Sequence, residues 1–154
     1  MTPQERMLIE HECTKLCLQL ALFTDTREFE KASDCFAVEG TFARPLSPER
    51  ILRGRREILE ALRQKPPGDS AQHCCTNILI EVQDSTHAVG TIYFTVFSQR
   101  GAAGEDSSGT PKRFMFVGVY HDRYMHTDAG WKIEERTGSL HYRCNWFPAS
   151  ERSS

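Results

Sequence analysis

The amino-terminal segment, from Thr2 to about Thr24, carries apolar residues at roughly helical intervals and predicts an amphipathic helix. Its opening residues, Thr2-Pro3-Gln4-Glu5, are typical of a capping box with proline at the first helical position. In such a box the threonine and the glutamate each satisfy a backbone N–H of the other. The apolar positions of this helix are Leu8, Ile9, Leu16, Leu20 and Phe23.

Two shorter helices are predicted to follow. The first begins after Asp25 and is broken by Gly40, and its apolar residues recur at intervals of three and four. The second runs from Arg55 to Lys65 and ends against Pro66-Pro67-Gly68. Their apolar residues are Phe29, Ala32, Cys35 and Phe36 in the former, and Ile58, Leu59 and Leu62 in the latter.

From residue 75 onward the pattern becomes that of β-strands. Three runs rich in β-branched and aromatic residues cover about 75–82, 87–98 and 113–126, and a fourth follows Trp131. Short polar turns of the hairpin type join the first run to the second and the third to the fourth. The carboxyl half is therefore predicted to be a meander of long antiparallel strands.

Three helices and this meander, with a short extended piece from Gly40 to Arg44, predict an α+β fold. Helices that cover one face of a strongly curved sheet form a cone with a pocket between the two layers. The other face of the sheet also carries apolar residues, so we expect self-association there as a homodimer or trimer.

Length and charge narrow the functional classes. The 154 residues suit one domain, predicted to span 1–145, with a tail at 146–154 and a polar loop from Arg100 to Pro111. The 19 basic and 21 acidic residues give a net charge of −2 without a long run of one sign, which argues against nucleic acid and an anionic membrane as partners. With no leader-like or membrane-spanning segment, we expect a cytoplasmic protein whose six cysteines are free thiols.

Several stretches together resemble the SnoaL-like branch of the nuclear-transport-factor-2-like (cystatin-like) superfamily, whose members are cone-shaped α+β barrels with a mixed, mainly antiparallel sheet. The resemblance covers about residues 5–142 and lies in the order and spacing of the stretches. They are Ala21-Leu22-Phe23-Thr24-Asp25, Gly40-Thr41-Phe42, Leu52-Arg53-Gly54-Arg55-Arg56-Glu57-Ile58, His73-Cys74-Cys75-Thr76-Asn77, Gly118-Val119-Tyr120-His121-Asp122-Arg123-Tyr124 and Gly130-Trp131-Lys132-Ile133.

The resemblance points to scytalone dehydratase, bile-acid 7α-dehydratase and hexachlorocyclohexane dehydrochlorinase, in which a histidine removes a proton from carbon and an aspartate orients it. Asp25 and His73 occupy those two positions. The resemblance implies a lyase or isomerase that needs neither a metal nor an organic cofactor. The implied substrate is a small hydrophobic molecule such as a steroid, terpenoid, polyketide or haloorganic. Imidazole suits the task because its unperturbed pKa lies near neutrality.

Four further residues are candidates for substrate binding. Arg136 resembles a pocket arginine of the dehydrochlorinase and would stabilise a departing group or bind a substrate oxygen. Phe116 and Tyr120 belong to an alternating aromatic set that supplies core and pocket wall. Leu20 is a departure, because several of these enzymes have tyrosine or lysine there.

Each candidate also has a purely structural interpretation. Asp25 opens the sequence Asp25-Thr26-Arg27-Glu28, which is itself a capping box for the second helix. His73 alone would more often be a satisfied strand-end histidine than a base. Arg136 would pair at the surface with Glu134 or Glu135. Together with Leu20, these interpretations favour a non-catalytic ligand-binding or dimerising module of the same fold.

Overall fold

The structure is a computed structural model that describes residues 1–101 and 112–145. Most of the predicted polar loop at Arg100–Pro111 and the predicted tail at 146–154 lie outside the described residues. The elements in chain order are α1 (Pro3–Asp25), α2 (Phe29–Asp34), β1 (Phe36–Ala43), β2 (Ile51–Arg53), α3 (Gly54–Arg63), β3 (Ser70–Val82), β4 (His87–Gln99), β5 (Arg113–Thr127) and β6 (Gly130–Asn145).

The predicted capping box of the first helix is present. Thr2 Oγ1 accepts from Glu5 N at 3.2 Å, and Glu5 Oε2 accepts from Thr2 N at 2.7 Å. These bonds satisfy two of the backbone donors that a helix start leaves without intrahelical partners. One stripe of α1 packs on the sheet through Ile9, Cys13, Leu16, Cys17 and Leu20.

The second helix is shorter than its apolar spacing predicts. It ends at Asp34, Cys35 is its carboxyl-terminal cap, and Phe36 begins β1. Phe36 is fully buried on that strand. The apolar spacing is compatible with both assignments because a residue at a helix end and one at the start of a strand can face the same core.

The six strands form one mixed sheet in the order β2-β1-β6-β5-β4-β3. The predicted meander of long antiparallel strands is β3 to β6, and β1 joins β6 in parallel. The sheet is not closed, since β2 and β3 each have one free edge. This α+β arrangement of helices on a curved sheet is the predicted fold.

The helices cover the face of the sheet that carries the even-numbered side chains of β4 and β5. The main core cluster joins α1, α2 and α3 to the sheet, and a smaller cluster centres on Cys17, Ile92, Phe94 and Tyr120. The opposite face leaves Tyr93 and Tyr142 exposed. Among the described residues, no helix is long and apolar enough to span a membrane.

Candidate active site

His73 lies near the start of β3, and Asp25 is the last residue of α1. The two carboxylate oxygens of Asp25 bind different parts of His73. Oδ2 accepts from the His73 backbone N–H at 2.7 Å, and Oδ1 lies 2.6 Å from ring Nδ1. A carboxylate at Nδ1 selects the tautomer that carries its proton there, which leaves Nε2 as the acceptor nitrogen.

Arg27 holds the two elements that carry this pair. It follows the end of α1 with a φ of 62°, so the chain reverses direction there. Its guanidinium donates to three carbonyl oxygens of the segment between α3 and β3, those of Lys65 at 2.8 Å, Asp69 at 3.2 Å and Pro66 at 3.3 Å. The start of β3 is thereby fixed against the end of α1.

Asp25 does not cap the second helix. Its carboxylate binds His73, and the residue at the amino-terminal cap of α2 is Glu28, which makes no side-chain capping bond. The capping interpretation of Asp25-Thr26-Arg27-Glu28 is therefore wrong. The local sequence fits a cap, but α1 runs through to Asp25 and directs its side chain to β3.

A cavity of about 520 Å³ lies between the helices and the sheet, and the His73 ring lines it. Leu20, Phe116, Tyr120 and Arg136 also line it. Buried aliphatic and aromatic side chains form most of the interior, including Phe36, Ile58 and Phe94. The exposed lining residues define the mouth of the cavity and are Leu46, Gln64, Pro66 and Arg100.

Arg136 is buried and bound to Asp122 on the neighbouring strand. Its Nε donates to Oδ1 at 2.7 Å and its Nη2 to Oδ2 at 2.6 Å. The Tyr124 hydroxyl donates to the same carboxylate at 2.7 Å, and the guanidinium lies 4.4 Å from the Tyr120 ring centroid. The predicted surface pairing with Glu134 or Glu135 is therefore wrong, and Glu134 binds Arg123 instead.

The pKa values of Arg136 and its neighbour Tyr124 are shifted by burial and by the Asp122 carboxylate. Burial alone would lower the pKa of Arg136, but Asp122 more than offsets this and raises that pKa above its usual value. Burial, with Asp122 next, also raises the pKa of Tyr124. The Nη1 group of Arg136 makes no hydrogen bond to any described residue. Arg136 therefore presents a donor to the cavity while Asp122 balances its charge.

Two cysteines extend this polar cluster. Arg136 Nη2 lies 3.4 Å from Cys17 Sγ. A hydrogen bond from the Cys75 thiol lowers the pKa of Cys17 to about 7, with help from Arg136 and against the effect of burial. The same bond, with burial, raises the pKa of Cys75. All six cysteines are free thiols.

Sequence reasoning missed Asp122 and the two thiols. One signal for Asp122 was present, because Phe116, Gly118, Tyr120, Asp122 and Tyr124 alternate along one strand and the acid falls on the apolar face. The contact between the two thiols joins α1 to β3 across 58 residues, and no local pattern reports such a contact.

Comparisons with solved structures show proteins of similar fold. A hexachlorocyclohexane dehydrochlorinase, LinA Type2, is similar with a TM-score of 0.81 at 13% identity, over 99% of this chain and 100% of that one. A putative scytalone dehydratase from Novosphingobium aromaticivorans has a TM-score of 0.78 at 14% identity, over 97% and 95% of the two chains. At such identities the likeness shows the fold.

A protein of unknown function from Mycobacterium tuberculosis is 26% identical, with a TM-score of 0.69 over 100% of this chain and 82% of that one. No curated protein matches the sequence. The profile of the SnoaL-like domain matches residues 5–137, which is most of the chain. The chain therefore belongs to the SnoaL-like domain family.

Proposed function

We propose that this protein is a cofactor-independent lyase or isomerase in which His73 removes a proton from carbon and Asp25 orients the ring. The observation that carries the proposal is the pair of contacts between Asp25 and His73, made beside an apolar cavity. General bases need this arrangement, because the ring must be held in one tautomer with its free nitrogen available to substrate. The dehydratase and dehydrochlorinase folds of the neighbours support the same chemistry.

In the elimination form of the reaction, Nε2 of His73 takes the proton and the electron pair of the broken C–H bond becomes the new π bond. The leaving group departs with its own bonding pair. A hydroxyl group takes a proton from the imidazolium and leaves as water, whereas a halide leaves as the anion and the imidazolium returns its proton to solvent. Asp25 stabilises the imidazolium between these steps.

Arg136 is the proposed donor to a substrate oxygen or departing group, through Nη1. Asp122 fixes the orientation of the guanidinium before substrate binds, and a donor already held in place costs no reorganisation during the reaction. Phe116, Tyr120 and Leu20 supply wall for an apolar ring. Leu20 places no proton donor at its position, and this is the observation that favours a non-catalytic binding module as the second candidate.

The experiment is a turnover screen on ring compounds that carry a hydroxyl or halide β to an acidic C–H. Formation of a conjugated double bond is followed by its ultraviolet absorbance, and released halide is measured separately. We expect turnover in the wild type, its loss in a folded His73→Ala variant by on the order of 10²–10⁴-fold, and a smaller loss in Asp25→Asn. His121→Ala is the matched control, because His121 is exposed on the other face of the sheet.

Undiminished turnover in His73→Ala would exclude this residue as the base. Binding of the ring compounds without any turnover would assign the chain to the binding-module class. Folding of each variant is checked by circular dichroism, since Asp25→Asn also weakens the link between α1 and β3.

We also propose that the protein self-associates through the outer face of the sheet. Tyr142 on β6 is 67% exposed there and lies opposite Val117 of β5, and Tyr93 is 52% exposed on β4, the strand on the other side of β5. Exposed aromatic patches on the outer face of a sheet are typical of interaction surfaces, and two-fold symmetry is the simplest way for such a face to contact a second copy. Light scattering should give a multiple of the 17.6 kDa chain mass, and Tyr142→Glu should reduce it. A wild-type mass of one chain at tens of micromolar would contradict this proposal.

A further inference from the structure

The charged residues that line the cavity are all cationic. They are Arg44, Lys65, Arg100 and Arg136, and no described lining residue is an aspartate or glutamate. Two of the four have carboxylate partners outside the lining. Arg100 binds Asp69 at 2.7 Å, and Arg136 binds Asp122. The lining therefore has an excess of positive charge. Asp25 and Asp69 lie close enough to Lys65 to interact with its charge, so the cation without a carboxylate partner among the described residues is Arg44.

Arg44 carries the more specific signal of the two. Its Nε is buried and has no hydrogen-bond partner among the described residues, and no ion pair to Arg44 is formed among them. A buried donor without a partner is destabilising, and more so when the group is charged. Arg44 lines the mostly apolar cavity, and no described residue accepts a hydrogen bond from its Nε.

The backbone holds Arg44 in this place. It directly follows β1, and its carbonyl accepts from Ser47 N at 3.1 Å to close a turn. The next residue, Pro45, packs on β6 over Gly138, where a Cβ would lie 2.4 Å from Pro45 Cγ. The absence of a side chain at 138 therefore allows the turn to sit against the sheet. The backbone from which the Arg44 side chain projects is therefore fixed before any ligand arrives.

We propose that the ligand of this cavity is an apolar ring compound that bears an anionic oxygen group, and that Arg44 binds this group near the mouth. A planar guanidinium donates well to a carboxylate or a sulfonate, and the Nη–H groups of Arg44 would make these hydrogen bonds. Lys65 also lines the cavity, but Asp25 and Asp69 interact with its charge. An anionic ring compound is thus the substrate class of the proposed function. Its role as a substrate rests on the proposed reaction at His73, whereas its binding to Arg44 does not.

The test uses three aromatic probes of equal size, naphthoate, naphthalenesulfonate and the neutral naphthamide. Their affinities for the full chain are measured by isothermal titration calorimetry. We expect naphthoate to bind about tenfold or more tightly than naphthamide, since hydrogen bonds between charged groups are stronger than those between neutral ones. The sulfonate tests whether the site accepts anionic oxygen groups in general, and it should also bind more tightly than naphthamide.

Arg44→Gln should bring the affinities for naphthoate and naphthamide close together, chiefly by weakening naphthoate. Arg44→Lys should keep part of the preference, because the positive charge remains. Arg50→Gln is the matched control, since Arg50 belongs to the same connection between β1 and β2 but is exposed and does not line the cavity. This control should retain the full preference.

Equal wild-type affinities for naphthoate and naphthamide would overturn the proposal, and so would a preference that survives Arg44→Gln. The result is independent of catalysis, because a folded His73→Ala variant should keep the preference for naphthoate. If the wild type prefers naphthoate but turns over none of the ring compounds, the proposed function has failed. If it turns over ring compounds but shows no preference for naphthoate, the proposed ligand class has failed.

Discussion

The two ends of the cavity each contain an arginine, and they differ in what surrounds it. At the inner end Arg136 is buried against Asp122, Tyr124 and Cys17. Near the mouth Arg44 has neither a carboxylate partner among the described residues nor any partner there for its buried Nε. A guanidinium whose charge is neutralised by a carboxylate can still donate a hydrogen bond to a ligand. A guanidinium without a carboxylate partner can donate a hydrogen bond and also attract an anionic ligand by its charge.

The presence or absence of a carboxylate partner gives the two arginines different functions in a binding cavity. The inner arginine contributes a fixed donor and no net field, which suits a group that gains charge during a reaction. The outer arginine contributes charge, which suits a ligand that is already anionic when it arrives. The comparison predicts that substitutions at the inner end change stability most and that those near the mouth change ligand choice.

The largest expected effect on stability is that of Asp122→Asn. The variant leaves the Arg136 charge buried with a neutral partner, and breaking such a pair typically costs about 3–5 kcal/mol. Chemical denaturation should show the loss directly. Asp128→Asn in the exposed turn before β6 is the control and should stay within about 0.5 kcal/mol of the wild type. Equal stability of the two variants would show that Arg136 does not depend on Asp122.

A smaller effect is expected from the pH dependence of Cys17. Its pKa is lowered from the ordinary 9.0 to about 7, so the unfolded chain binds more protons than the folded one between these values. The free energy of unfolding should therefore rise with pH between pH 7 and 9. The contribution is present above the unfolded pKa and is lost as pH falls through the folded pKa.

Cys75→Ala removes the thiol that donates to Cys17, which is the largest cause of the lowered pKa. Denaturation curves across this pH window should show a flatter rise in that variant than in the wild type. Cys144→Ala, at an exposed position, should keep the wild-type slope. A slope unchanged by Cys75→Ala would contradict the assigned cause.

Tyr124→Phe should cost about 1 kcal/mol, the typical net value of one buried hydrogen bond. Asp122 keeps both of its bonds to Arg136 in this variant, so the loss should be well below that of Asp122→Asn. Thermal unfolding of the two variants side by side checks the order, and a reversed order would remove Arg136 as the main partner of the carboxylate.

Arg44→Gln should have the smallest effect on stability, within about 0.5 kcal/mol and on the stabilising side, because it removes a charge that has no internal partner. Denaturant titration in the absence of ligand provides the value. A loss of several kcal/mol would mean that Arg44 supports the fold, and the contrast with Arg136 would disappear.

The partner of Arg136 illustrates what the sequence could and could not predict. The hairpin turn was recognisable, and Thr127 pairs with Gly130 across it. Extending that register along the strands would place Asp122 opposite Glu135. A bulge between Arg123 and Tyr124 shifts the pairing by one residue and brings Asp122 opposite Arg136. Bulges have weak local sequence signals, so strand patterning alone cannot identify this pair.

The helices show the same division between local and distant information. The Thr2 and Glu5 cap was predictable because every participant lies within one turn. The role of Asp25 as a cap was a sound local prediction that failed because its partner, His73, lies 48 residues away. The resemblance to the SnoaL-like family supplied that distant partner, and the unpartnered Nε of Arg44 became visible only in the structure.

The central claim is that His73 accepts a proton from carbon inside this cavity. The most direct measurement is hydrogen–deuterium exchange at the acidic C–H of a tetralone that carries a carboxylate and no leaving group, followed by proton NMR in heavy water. The account predicts exchange well above the buffer rate with the wild type, a reduced rate with Asp25→Asn and the buffer rate with a folded His73→Ala variant. Exchange by His73→Ala at the wild-type rate would contradict it.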